Sequence, residues 1–230
     1  MIDYGQFCPI AKASEVIGER WTLLILRELL MGATRYSDLQ RTLGHISPTV
    51  LVKRLKSLEE YGLLVRTKIP GQRRHEYRLT AAGKDLKSVV VGLGEWGMRW
   101  ARGQMSDDEL DVQLLMVHIC RTLRTKHLPD GQTVIKFHFP DLDEFGTWWI
   151  VVTAGEVDLC IDAPSDEPDV RFSSDLRTMT EVFMGDLALK DARKSGRLKL
   201  KGQTGLLRNV GSWLGLSIFA GVKAGAPETA

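Results

Sequence analysis

Residues 44–62, GHISPTVLVKRLKSLEEYG, start and stop a helix by their own chemistry. Ser47 is a good N-cap, Pro48 fits the first helical position where its missing N–H costs nothing, and Gly62 suits the left-handed residue that ends a helix. Leu51, Leu55 and Leu58 recur at i, i+4 and i+7, so one apolar stripe must find a core. At ~100° per residue, Thr49, Lys53 and Lys56 fall on the opposite face, with Ser57 beside them and Arg54 on a flank. No acidic row matches that face, since Glu59 and Glu60 come only in the last turn.

The neighbours give this helix its meaning. RYSDLQRTL, opening at Arg35, places Tyr36, Leu39 and Leu43 at i, i+3 and i+7, and GHI then makes a three-residue connection, a helix-turn-helix spacing. Upstream, WTLLILRELL is apolar almost all round, and CPIAKASEVIG supplies a short helix beginning at Pro9. Downstream, LLVRTKI and HEYRLT alternate as two strands around PGQRR, which sets Arg73, Arg74 and His75 at a hairpin tip. The series reads as a winged helix. Its recognition helix would enter the major groove of double-stranded DNA, and its wing would track phosphates or reach the adjacent minor groove. The candidate contacts are Arg35, Ser47, Pro48, Thr49, Lys53, Arg54 and Lys56, with Arg73, Arg74 and His75 from the wing.

At 230 residues the chain exceeds the usual ~100–150-residue domain, which favours two domains. Charge divides accordingly. Residues 1–103 hold seventeen Lys and Arg against ten Asp and Glu, whereas residues 104–230 hold fourteen against nineteen. The basic part suits a polyphosphate and the acidic part would be repelled by one. Gly103 ends one helical pattern, and Ser106 with Glu109 forms a capping box that opens the next. The expected domains are therefore 1–103 and 104–230.

The stretch CPIAKASEVIGERWTLLILRELLMGATRYSDLQRTLGHISPTVLVKRLKSLEEYGLLVR resembles the HxlR-type regulators, a winged-helix family related to MarR. The resemblance covers Phe7 to Trp100. It implies a dimeric, sequence-specific DNA-binding protein in which Ser47 to Lys56 read an operator and Arg73 and Arg74 hold the wing on the backbone. After the wing, LTAAGKDLKSVVVGLGEWGMRWARG has Thr80 as N-cap and brings Leu86, Val90, Leu93, Trp96 and Trp100 near one stripe. Leu93, Trp96 and Trp100 either pack on their own domain or face a second subunit. The resemblance favours the homodimer.

The acidic part is α+β. After the helix DELDVQLLMVHICRTL come strand-like runs in TVIKFHF, TWWIVVT, EVDLCID and VRFSS, then helical LRTMTEVFMGDLALKDARKSG and a strand RLKLKG. From Asp169 to Leu216 the arrangement resembles sterol carrier protein type-2. The matching positions are the acidic cap Asp175, Gly185 between two helices, Gly196, the strand Leu198 to Lys201, and Gly202. Gln203 departs from the acidic residue common at that place in the family. The resemblance implies a tunnel between sheet and helices for an apolar small molecule. Phe183, Met184, Trp213, Leu214, Leu216, Ile218 and Phe219 are then lining or lid residues, GSWLGLSIFAGV is either a closing segment or a surface helix, and a bulky side chain at Gly215 would fill the tunnel.

No catalytic constellation stands out. The five histidines are dispersed, no serine lies in a nucleophile elbow, and no glycine-rich phosphate loop follows a strand. Neither an enzyme, nor a cofactor, nor a metal site is expected. Cys8, before Pro9 at a helix N-terminus with Lys12 and Arg20 nearby, is the redox or electrophile-sensing alternative; a lipid carrier or accessory protein is another. No run approaches the ~18–20 apolar residues of a membrane span, and the N-terminus lacks a signal-peptide pattern, so a cytoplasmic location away from membranes is expected.

Overall fold

Helices and a hairpin of the N-terminal part share one core in the computed structural model, which describes residues 3–71, 74–104 and 106–225. The chain divides into two units, Met1–Trp96 and Gly97–Ala230.

In the first unit, α1 (Pro9–Ile17), α2 (Thr22–Leu30), α3 (Tyr36–Thr42) and α4 (Pro48–Glu60) precede the hairpin of β1 (Leu64–Lys68) and β2 (His75–Leu79), followed by α5 (Ala81–Asp85) and α6 (Lys87–Trp100), whose last turn from Gly97 belongs to the second unit. Ile25, Leu26 and Leu29 of α2 meet Leu39 of α3 and Leu51, Leu55 and Leu58 of α4 in one buried cluster. The leucine stripe read from the sequence is therefore the core face of α4. Ser47 Oγ accepts from Val50 N–H at 3.3 Å, and Gly62 at φ +68° closes the other end. There Leu63 N–H donates to Leu58 O and Gly62 N–H to Glu59 O, each at 2.9 Å, the paired bonds of a Schellman ending.

Thr80 links the hairpin to this helix end. Its hydroxyl donates to Gly62 O at 2.7 Å and accepts from Gly83 N–H at 3.1 Å, so one side chain caps α5 and fixes where α4 stops. The helical pattern after Thr80 is broken at Leu86, between α5 and α6.

In the second unit, α7 (Val112–Thr122) leads to β3 (Gln132–His138), β4 (Thr147–Thr153), β5 (Glu156–Cys160) and β6 (Val170–Ser174), then α8 (Leu176–Met184), α9 (Leu189–Lys194), β7 (Leu198–Gly202), α10 (Thr204–Arg208) and α11 (Val210–Trp213). The strand order is β5-β4-β3-β6-β7, with β3 and β6 parallel and the other pairs antiparallel. The Phe137 and Phe172 rings stack with centroids 4.6 Å apart, and Trp213 meets Phe172 edge-on at 6.1 Å. This aromatic group, with Leu176, Met179, Val182 and Phe183 of α8, fills the core. No helix among the described residues is long and apolar enough to cross a membrane.

Two local expectations change. The Ser106/Glu109 capping box exists, with Ser106 N–H donating to Glu109 Oε2 at 2.8 Å, but it closes a 3-10 turn at Asp107–Glu109. The helix itself starts at Asp111, whose carboxylate accepts from Leu114 N–H at 2.9 Å. The segment GSWLGLSIFAGV is helical only over Gly211–Trp213, the end of α11, and leaves the helix from Leu214 on. It runs back along α8 as an irregular strap, with Ser217 N–H donating to Phe183 O at 2.9 Å.

Candidate nucleic-acid interface and ligand domain

The exposed side of α4 carries Thr49, Lys53 and Lys56, continuous with the exposed Ser47 and Pro48 at its start. Lys56 Nζ lies 3.5 Å from Glu60 Oε1, an exposed pair that holds the lysine weakly. Arg54 differs from its expected place on the flank of this face. Its side chain is only 16% exposed, its Nε donates to Arg20 O at 3.1 Å, and its guanidinium pairs with Glu19. Arg54 thus braces α4 against the turn before α2. Val52, absent from the expected contacts, is 55% exposed and stands three residues from Thr49 and four from Lys56 on the same side. Its angular offset from the leucine stripe was the available signal, obscured by its apolar character.

The wing is a two-stranded hairpin that gains a third short partner. Arg35 forms a bridge with Glu76, and Tyr77 N–H donates to Thr34 O at 2.8 Å. Arg35, exposed before α3, is thereby fixed beside the wing. Arg74 is exposed, and its carbonyl accepts from Ile69 N–H at 3.0 Å to close the loop. His75 is not at the tip: it opens β2 opposite Lys68, half-buried, with Nδ1 3.2 Å from Arg66 Nη2. The Arg73 position lies outside the described residues.

Leu93, Trp96 and Trp100 are all exposed, Trp96 by 58%, so α6 presents an apolar face. Cys8 is half-buried and occupies the N-cap of α1 without a side-chain capping bond. Lys12 Nζ is bonded to both Glu15 oxygens at 3.0 Å, and this carboxylate holds the ammonium above its ordinary pKa. The positive potential expected beside Cys8 is correspondingly offset.

An HxlR-like helix-turn-helix family model matches residues 16–105. The uncharacterised HTH-type regulator YvaP of Bacillus subtilis is 36% identical over 101 residues, which cover 43% of this chain and 94% of that relative. The chain belongs to the HxlR-like helix-turn-helix family. An uncharacterised HTH-type transcriptional regulator of Mycobacterium tuberculosis is 49% identical over 89 residues, covering 38% of this chain; the chain spans only 56% of that relative's length. Among solved structures, the reduced form of the transcriptional regulator YodB from B. subtilis is 28% identical, covers 43% of this chain and 98% of that one, and has a TM-score of 0.38. A second part of this HxlR-like protein, residues 125–215, matches the SCP-2 sterol transfer family.

That second match agrees with local chemistry. Asp175 caps α8, accepting from Thr178 N–H at 2.6 Å and Thr178 Oγ1 at 2.7 Å, and Gly185 ends it at φ +82°. A side chain on Gly185 would meet Ala220 O at 2.5 Å, so the strap can approach only a glycine here. Between strap and helices lies an apolar cavity of about 320 Å³, lined by Val182, Leu187, Leu189, Leu214 and Leu216, with Arg124 as its single charged residue.

Of the expected lining residues, Leu214 and Leu216 take that place. Trp213 is fully buried, its Nε1 donating to Leu206 O at 3.0 Å, and Phe183 faces the core; both are structural because sheet and helices close over them. Ile218 points outward at 69% exposure, while Met184 and Phe219 are half-buried away from the cavity wall. Gly215 packs its α-carbon side against the Thr122 carbonyl, so a bulky residue there cannot fill the cavity.

The Gln203 departure also has a partner. Its side-chain amide donates to Asp169 Oδ1 at 2.5 Å, while Asp169 Oδ2 accepts from Val134 N–H at 2.8 Å. Asp169 therefore joins the ends of β3, β6 and β7. A carboxylate at position 203 would oppose Asp169, so Gln203→Glu is expected to destabilise the fold at neutral pH by ~1 kcal/mol. Repulsion raises the folded-state pKa of the pair, which favours protonation in the folded state, and the loss relative to wild type should shrink as pH falls into the carboxylate range. Urea unfolding of both proteins at several pH values measures this; a pH-independent difference would deny the contact.

Proposed function

We propose that the protein is a sequence-specific transcriptional regulator whose residues 1–103 bind a double-stranded DNA operator as a homodimer. Residues 104–230 form its sterol-carrier-like domain, in which an apolar small molecule tunes DNA binding. The observation that carries the reading is the exposed side of α4, with Thr49, Lys53 and Lys56 on a helix locked by Ser47, Gly62 and the leucine core. Phosphates would be held by Lys53, Lys56, Arg35 and the wing's Arg73 and Arg74, while Thr49 reads a base edge and Val52 meets a thymine methyl. The test is a mobility-shift assay with fragments of the host genome. Selective retention that weakens steeply with salt supports the proposal, and retention without preference among fragments removes the sequence-specific part.

The exposed Leu93 and Trp96 of α6 support the dimer, because two recognition helices read a two-fold site only when held about 34–36 Å apart, while the Trp100 ring lies against the tail at Gly225. Trp96→Ala is expected to weaken self-association by about 2 kcal/mol, roughly thirty-fold, with operator affinity falling alongside. Sedimentation at micromolar protein checks this, and an unchanged dimer would move the interface elsewhere.

A further inference from the structure

The second unit carries a larger cavity, of about 700 Å³, lined in part by Arg177 and Glu181 on the side of α8 opposite its buried stripe. Four arginines border it: Arg99, Arg102, Arg177 and Arg197. Three of them are held by carboxylates. Arg102 Nε donates to Asp186 Oδ2 at 2.8 Å, Arg197 Nη2 to Glu181 Oε2 at 2.7 Å, and Arg177 Nε to Asp107 Oδ1 at 2.5 Å. The Arg99 side chain is exposed and makes no ion pair with any described residue. The cavity thus has one uncompensated cation among fixed ion pairs.

The rest of the wall is apolar and built. Met98, Trp100, Leu187 and Val222 contribute it. Gly225 N–H donates to Arg99 O at 2.9 Å, and a side chain on Gly225 would come within 2.5 Å of the Trp100 ring. The tail at 222–225 is therefore pinned on the last turn of α6, beside Arg99.

We infer that this cavity binds an organic monocarboxylate, with its carboxylate on Arg99 and its apolar body along Trp100 and Leu187. A guanidinium and a carboxylate form a charge-assisted, directional pair. A dianion has no second free cation here and would face Glu181 and Asp186. A neutral molecule gains nothing from Arg99. The volume lies in the ~300–1,000 Å³ range of small-molecule sites. The site stands independently of operator recognition; only its role as an effector site rests on the function proposed above, so binding is measured without DNA.

Calorimetric titration of the full-length protein with octanoate, its neutral isostere octanamide, and variants at position 99 tests this. Octanoate should bind with one site per chain and octanamide about ten-fold or more weakly, a difference of ~1.4 kcal/mol. Arg99→Gln, altering only an exposed side chain, should bring octanoate down to the octanamide level, and Arg99→Lys should recover part of the loss. No octanoate binding at millimolar concentration, equal affinity for both probes, or undiminished binding by Arg99→Gln would each overturn the inference. So would a loss seen in Arg124→Gln and not in Arg99→Gln, which places the carboxylate in the smaller cavity.

Discussion

Replacing Lys53 and Lys56 together by Ala is expected to weaken operator binding by roughly ten- to a hundred-fold near physiological salt, and to flatten the dependence of log affinity on log salt by about two units. Both ammonium groups stand on the exposed side of α4. Lys56 is tied only to Glu60, at 3.5 Å, and can leave that pair for a phosphate. Neither touches the leucine core, so unfolding free energy should stay within ~0.5 kcal/mol of wild type, which separates lost binding from lost fold. Anisotropy titrations of a labelled operator across a salt series are the measurement. Wild-type affinity and slope in the double variant would remove α4 from the interface.

The largest stability effect is expected at Gly215. A methyl group there runs into the Thr122 carbonyl at the end of α7, where Thr122 Oγ1 also donates to Gly215 O at 3.3 Å. Backbone cannot yield as a flexible side chain does. Gly215→Ala should therefore lose more than ~4 kcal/mol or fail to fold, well beyond an ordinary point substitution. Leu216→Trp, at a residue that lines the apolar cavity and is partly exposed, should fold and occupy the cavity instead. Urea unfolding distinguishes them, and a Gly215→Ala protein as stable as wild type would mean that the strap does not follow α7 this closely.

Legibility in the sequence followed the range of the forces. As caps, Ser47, Gly62, Thr80 and Asp175 act within a few residues of their own positions, and each terminates or starts a helix as the local pattern indicates, although the bond from Thr80 to the Gly62 carbonyl reaches eighteen residues back. The strands of the second unit are visible in alternation, as in Trp148, Ile150 and Val152, all buried. Arg54 was not legible, because its inward pairing depends on Glu19 and on the Arg20 carbonyl, thirty-four residues away. Trp213 and Phe183 carry the composition of a greasy site, and only the three-dimensional closure of the core separates them from the cavity-lining Leu214. The uncompensated charge at Arg99 had no sequence signal at all, since the pairing of its neighbours Arg102, Arg177 and Arg197 with Asp186, Asp107 and Glu181 spans sixteen to eighty-four residues of chain. Cys8 shows the converse: a suggestive local setting loses force once Lys12 is seen to serve Glu15.

The parallel pairing of β3 with β6 sets the order in which the sheet can be completed during synthesis. When β3, β4 and β5 have left the ribosome, β3 is a temporary edge, and Val134, Ile135 and Phe137 wait for the chain that will supply β6. Open edges flanked by apolar side chains invite pairing with other nascent chains. The finished sheet avoids that hazard by ending in short strands, β5 with Glu156 and Asp158 and β7 with Lys199 and Lys201, which place charge where another strand would otherwise add. Aggregation of this protein is therefore expected to be a risk of its birth, confined to the interval before β6 and β7 emerge, and a small one once the sheet is complete.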